Sequence, residues 1–316
     1  MIVDLFAGPG GLDHGGQLEG QPSIGIEWDT NAVATRVAAG LATVHGDVTQ
    51  YGPADIPGDT LGGGPPCQTF TNAGDGSGRR ELAAVIEGVM KTAAREHVDP
   101  ATFSDPRTAL VLEPLRWAIK AIDLGRPYKA VVLEQVREAR PVWEAYADML
   151  RLEGYEVATG VLNTEQYGVP QTRRRAVLVA RLGASASLPA PTHRPYRRGV
   201  PQDQGDPALK PWVSMGEALN RDEPFTVISN YGTGGDPRNR GRRTSNEPAF
   251  TVTGKISRFR IVGGDGREMP RFSPAEAGQL QGFPAGWPWS GNDIPQQQGN
   301  ACPPPLASAL FRAAIQ

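Results

Sequence analysis

Over roughly its first 180 residues the chain alternates short apolar, β-prone runs with stretches of helical periodicity, and this rhythm restricts the fold most. Strand-like runs fall at 1–5, 23–27, 43–45, 60–62, 130–134, 156–162 and 176–180. Helical stretches lie between them at 12–19, 30–39, 80–96, 107–123 and 142–153. Asp105 and Pro106 mark the start of the fourth as an N-cap followed by proline at the first helical position. Neighbouring parallel strands need a long crossover, and each helix supplies one. The alternation therefore predicts a doubly wound α/β domain, a parallel sheet with helices on both faces.

Near residue 183 the composition changes. Residues 184–270 are rich in proline, glycine and arginine and have almost no helical periodicity. Two similar segments, Glu223-Pro224-Phe225-Thr226-Val227 and Glu247-Pro248-Ala249-Phe250-Thr251-Val252, each read as a proline-started strand. A smaller, irregular β-rich domain is expected over 183–270, with 1–182 and 271–316 forming the larger one. Helix returns at Ser273-Pro274-Ala275-Glu276, a capping-box start, and a last helix follows Pro303-Pro304-Pro305.

The net charge of −2 does not suggest a nucleic-acid binder, but the average conceals a local field. Residues 183–270 hold 13 Lys/Arg against 9 Asp/Glu, and Arg238, Arg240, Arg242 and Arg243 sit among glycines, prolines and asparagines as a basic loop. Two cysteines in 316 residues make no disulfide framework, which fits a reducing cytoplasm. No apolar run approaches the ~20 residues that span a bilayer. No metal site is expected.

The turn after the first strand, Asp4-Leu5-Phe6-Ala7-Gly8-Pro9-Gly10-Gly11, lets backbone approach a ligand closely at a helix start. Glu27 ends the second strand, where an acid can accept ribose hydroxyls, and Asp47 ends the third, within reach of an adenine amino group. Taken singly, each acid is better explained as a cap on the next helix. There is no third glycine at pyrophosphate spacing and no Gly-Lys-Ser/Thr, so the pattern favours S-adenosylmethionine over a dinucleotide. Pro65-Pro66-Cys67-Gln68 follows the run Gly62-Gly63-Gly64, placing a thiol on a stiff turn. That suits a presented nucleophile, and equally a buried structural cysteine.

With that turn included, the chain resembles the C5-cytosine DNA methyltransferases. The resemblance rests on Asp4 to Gly11, Glu27-Trp28-Asp29, Gly46-Asp47-Val48, Gly64 to Gln68, Asp105-Pro106-Arg107, Leu133-Glu134-Gln135-Val136, Gln171-Thr172-Arg173-Arg174-Arg175, Leu280 to Pro284 and Gly299 to Pro304, in the family's order. One departure stands out: the family usually has Glu-Asn-Val where this chain has Glu134-Gln135-Val136. The family's variable stretch, its target-recognition domain, falls on the basic region.

The resemblance implies Cys67 as the nucleophile that adds to carbon 6 of cytosine, and Glu134 as the acid at ring nitrogen 3, its proton kept by burial. Arg175 would hold O2 and Arg173 would position the base, both favouring the thiolate. S-adenosylmethionine would be held by Asp4, Phe6, Ala7, Gly8, Gly10 and Gly11, by Glu27 and Trp28, by Asp47 and Val48, by Pro66, and by Asn300 with Ala301. The base must flip out of double-stranded DNA. Gln68, Thr71, Arg79 and Arg80 in the loop after Cys67 would bind that DNA, with Arg238, Arg240, Arg242, Arg243, Lys255, Arg258 and Arg260 reading bases or gripping phosphates. A cytoplasmic monomer, with a cognate restriction endonuclease as a candidate partner, is the expected setting.

Overall fold

The central strands are buried on both faces, and the computed structural model, which describes residues 1–66, 81–230 and 239–316, places them in a seven-stranded sheet. Its strands are β1 (Ile2–Leu5), β2 (Ser23–Glu27), β3 (Thr43–His45), β4 (Thr60–Gly63), β5 (Ala130–Val136), β6 (Tyr155–Asn163) and β7 (Arg174–Leu182), in the order β3-β2-β1-β4-β5-β7-β6. The expected all-parallel sheet needs one correction: β7 runs antiparallel to both β5 and β6. β6 and β7 are joined without a crossover helix, so the chain returns as an antiparallel pair.

The described helices are α1 (Gly11–Leu18), α2 (Thr30–Ala38), α3 (Leu82–Ala93), α4 (Glu113–Asp123), α5 (Arg140–Leu152), α6 (Met215–Ala218), α7 (Pro274–Leu280), α8 (Ile294–Asn300) and α9 (Pro304–Ile315). Along β5 the side chains alternate between two cores. Val131 and Leu133 pack toward α3, α4 and α5, whereas Ala130 and Val132 pack with Leu306, Leu310 and Phe311 of α9. Each fully buried Leu or Val contributes about 2 kcal/mol, so the sheet is secured from both faces. The stretch expected as one helix over 107–123 is split. A 3-10 segment, Pro106–Leu112, precedes α4, and Asp105 caps it by accepting the Arg107 N–H at 2.9 Å.

β8 (Phe225–Ile228), β9 (Arg242–Thr244), β10 (Arg260–Gly263) and β11 (Glu268–Met269) form a second, antiparallel sheet in the order β11-β10-β8-β9. Its core also takes in Phe272, Ala277 and Leu280, while α7 meets the larger domain as well: its Leu280 carbonyl accepts the Gln171 side chain at 2.9 Å and its Pro274 carbonyl that of Gln298 at 2.6 Å. Conversely, Leu188 packs on the α9 side of the large sheet, and the Tyr167 hydroxyl donates to the Pro189 carbonyl. Packing at 188–189 and at 272–280 therefore joins the two parts of the chain across 183 and 270. The second of the two similar segments is not a strand of the small sheet. It crosses to the large domain instead: the Ala249 N–H donates to Pro170, Thr172 N–H to Ala249, and Val252 N–H to the Gln171 side chain at 2.8 Å. No helix among the described residues is long and apolar enough to cross a membrane.

Candidate active site

Strand order reverses between β1 and β4, because β2 and β3 lie to one side of β1 while β4 and β5 lie to the other. Loops leaving the carboxyl ends of β1 and β4 diverge there, and an open α/β sheet binds its ligand in such a crevice. A cavity of about 350 Å³ occupies this place, lined by Phe6, Ala7, Gly8, Gly11, Glu27, Trp28, Gly64, Pro65, Pro66, Arg107, Leu110, Glu134, Gln135, Arg173, Arg175, Gln296, Asn300, Ala301 and Cys302 among others.

At its cofactor end the turn after β1 is tightly determined. Phe6 has φ 60°, a strained value for a residue with a side chain, and Gly8 and Gly10 are left-handed as well. A Cβ on Gly11 would lie 2.1 Å from the Cys302 carbonyl oxygen, so only glycine lets α1 start there. Glu27 closes the turn from β2. One carboxylate oxygen accepts the Gly8 N–H at 2.7 Å, and the other accepts those of Trp28 and Asp29 at 2.9 and 2.7 Å. Burial pushes the Glu27 carboxyl above its ordinary value, and these amides pull it back. Trp28 beside it is 67% exposed, a free indole face at the cavity rim. An acid with spare lone pairs, an open aromatic face and a glycine turn suit the sugar and base of an adenosyl group, so these residues fit S-adenosylmethionine. Four expected contacts do not line the cavity. Asp4 is fully buried beneath the turn, and Gly10 backs it against Leu41. Val48 is buried, while exposed Asp47 caps the next turn through the Thr49 N–H.

At the opposite end, β5 and β7 present their chemistry side by side. Glu134 Oε1 lies 2.6 Å from Arg175 Nε, at an angle that makes a charge contact rather than a formed hydrogen bond. Burial alone was expected to govern Glu134; a guanidinium is there as well. Arg173, also buried, donates to the Val252 and Gly299 carbonyls at 2.8 Å and to Ala301 at 3.4 Å. It therefore ties β7 to the smaller domain and to the segment after α8. Gln135 donates to the Pro65 carbonyl at 2.6 Å and accepts the Val136 N–H at 2.7 Å. The extra methylene relative to asparagine is thus used to reach the turn that carries Pro66. Cys67, Gln68, Thr71, Arg79, Arg80 and Arg238 lie outside the described residues.

A family model described as C-5 cytosine-specific DNA methylase matches residues 1–89 and 101–198. The chain belongs to that family. Among its DNA methylase relatives, the type II methyltransferase M.NlaX of Neisseria lactamica is 28% identical over 98% of this chain and 94% of its own length. M.Sau96I of Staphylococcus aureus is 26% identical over 99% of this chain and 75% of its own. Solved structures agree on the fold. The Spodoptera frugiperda DNMT2 superposes with a TM-score of 0.65 at 16% identity over 100% of this chain and 99% of its own, and S. pombe Dnmt2 with 0.63 at 17% over 98% and 96%.

For a DNA methylase, the fate of the basic side chains matters most. Arg242, Lys255, Arg258 and Arg260 are exposed, although Arg260 is ion-paired to Glu268 at 2.5 Å. Arg240 is half-buried. Arg243 departs from expectation. Its guanidinium stacks on Tyr196 and Phe250, with centroids 5.0 and 4.5 Å away, and donates to Thr172, Pro248 and Ala249. The apolar rings and carbonyls around it make it a strut between the domains. Exposed Arg174, Arg197 and Arg198 went unnoticed in the sequence, although Arg174 sits within the Gln171–Arg175 motif itself. Gln296 lines the cavity with no local sequence signal, and Cys302 lines it as part of the Gly299 to Pro304 motif.

Proposed function

We propose that this methylase transfers a methyl group to carbon 5 of a flipped-out cytosine in double-stranded DNA through a covalent adduct at Cys67. The observation that carries this reading is the convergence in one cavity of the glycine turn and Glu27 with the Glu134–Arg175 contact and Pro66, the residue before Cys67. S-adenosylmethionine, when bound, supplies an electrophilic methyl. The Cys67 thiolate adds to carbon 6, forming a C–S bond and moving electron density to carbon 5, which takes the methyl. Glu134 holds a proton at nitrogen 3 as charge builds there, and Arg175 holds O2. Loss of the carbon-5 proton then lets the C–S bond break and frees Cys67. Arg173 acts at one remove, fixing the strand from which Arg175 projects. The loop residues Gln68, Thr71, Arg79 and Arg80, together with Arg238 and the exposed Arg242, Lys255 and Arg258, would hold the duplex. The setting we propose is a cytoplasmic monomer working with a cognate restriction endonuclease.

Duplex DNA in which every cytosine is 5-fluorocytosine tests this without knowledge of the target, because fluorine cannot leave as a proton does. The protein should be trapped covalently in the presence of S-adenosylmethionine, and Cys67→Ala should abolish trapping while retaining cofactor binding. A Cys67→Ala protein that still methylates DNA would sink the mechanism.

A further inference from the structure

Beneath the glycine turn lies a charged cluster that the chemistry above does not use. Asp4 of β1, Asp13 of α1 and Arg36 of α2 are fully buried. Arg36 grips Asp13 with both terminal nitrogens, at 2.6 and 3.1 Å, and the Ser23 hydroxyl donates to the same carboxylate at 2.7 Å. Its remaining donors reach Thr43 Oγ1 at 3.0 Å, the Ala42 carbonyl at 3.1 Å and the Ala7 carbonyl at 3.4 Å. Space for the guanidinium comes from Gly25, where a Cβ would lie 2.1 Å from Arg36 Nη2 and 2.5 Å from Ala7 Cβ. Neither carboxyl oxygen of Asp4 meets a donor among the described residues. Burial and the charge on Asp13 hold the Asp4 carboxyl well above its ordinary value.

A buried ion pair is a poor source of stability, since apolar residues of similar volume often do as well. What a planar guanidinium provides instead is direction. Here one arm ends on Ala7, the residue whose N–H is held by Ile26 at 3.1 Å and whose neighbour Gly8 is held by Glu27. The same Ala7 carbonyl accepts the Gly10 N–H at 3.1 Å, closing the strained turn. We propose that Arg36, braced by Asp13, is a positioning residue that fixes the Ala7 carbonyl and so presets the glycine turn for its adenosyl ligand. This rests on the reading that the cavity takes S-adenosylmethionine.

The test compares wild type, Arg36→Lys and the double variant Asp13→Leu/Arg36→Met by melting temperature, by calorimetric S-adenosylmethionine binding and by kcat against KM. The double variant should melt close to wild type yet bind the cofactor about tenfold more weakly, the effect of losing one positioned hydrogen bond. Its KM should rise while kcat at saturation stays nearly unchanged. Arg36→Lys, which keeps the charge but not the fork, should weaken binding in the same way. A double variant with wild-type stability and wild-type affinity would reduce the cluster to packing and overturn the proposal. If the double variant does not fold, wild-type affinity in Arg36→Lys overturns it equally. Wild-type protein that binds no S-adenosylmethionine would instead remove the reading beneath it, a result separable from the variant arms.

Discussion

Gln135→Asn tests how the catalytic turn is held. The side-chain amide donates to the buried Pro65 carbonyl at 2.6 Å while its oxygen accepts the Val136 N–H at 2.7 Å. Removing one methylene withdraws the amide by about 1.5 Å, one carbon–carbon bond, and carries the donor beyond hydrogen-bond range of Pro65. A buried carbonyl left without its donor costs about 1–3 kcal/mol. If that cost falls on the geometry from which Cys67 attacks, the rate drops about 5- to 150-fold. The assay is the single-turnover rate of covalent trapping on 5-fluorocytosine duplex, with cofactor affinity measured in parallel. Trapping should slow within that range while S-adenosylmethionine binding stays near wild type. Gln135→Glu keeps the shape but turns a carboxylate oxygen toward the Pro65 carbonyl, so it should trap no faster than Gln135→Asn. Unchanged trapping in Gln135→Asn would refute the link between this residue and the catalytic turn.

Three further outcomes follow from buried and exposed charge. Because the Asp4 carboxyl is raised in the folded chain, its contribution is complete below the unfolded value of about 3.9 and is lost as pH rises through the folded value. Asp4→Asn carries no such proton, so its stability relative to wild type should grow from about pH 4 upward, by at most about 1.4 kcal/mol per unit; a difference flat with pH in urea melts would contradict this. Arg242→Ala or Lys255→Ala should weaken DNA binding and lower the slope of log affinity against log salt by about one. Arg243→Lys, which loses planar stacking between Tyr196 and Phe250, should instead lower stability by about 1 kcal/mol and leave that slope alone. A changed slope with unchanged melting would return Arg243 to the DNA face.

Much of the larger domain is legible because its elements obey local periodicity. Residues 23–27 and 43–45 are strands as expected, and Ser273 caps its helix with the reciprocal Glu276 bond that the spacing predicts. Legibility fails where long-range packing decides. Nothing near Arg243 says that Tyr196 and Phe250 will enclose it, and the Thr251–Val252 run uses the Thr251 hydroxyl on the Thr172 carbonyl and the Val252 N–H on the Gln171 side chain instead of pairing with a neighbouring strand. The Glu134–Arg175 contact is similar. Each residue is readable from its motif, but their meeting depends on β7 reversing direction beside β5, which alternation alone does not disclose.

Arg173 has a consequence for anyone wishing to retarget such an enzyme. Its guanidinium is shared between carbonyls at 252, 299 and 301, which places a short piece of the smaller lobe inside the catalytic frame. A chimera spliced at 183 and 270 would import a foreign backbone at 249–252, leaving that cation one acceptor short unless the donor happened to supply a carbonyl there. Grafts that retain 249–252 and 272–280 from the host, and exchange only the exposed strands and turns between, should keep the chemistry intact while changing the recognised site.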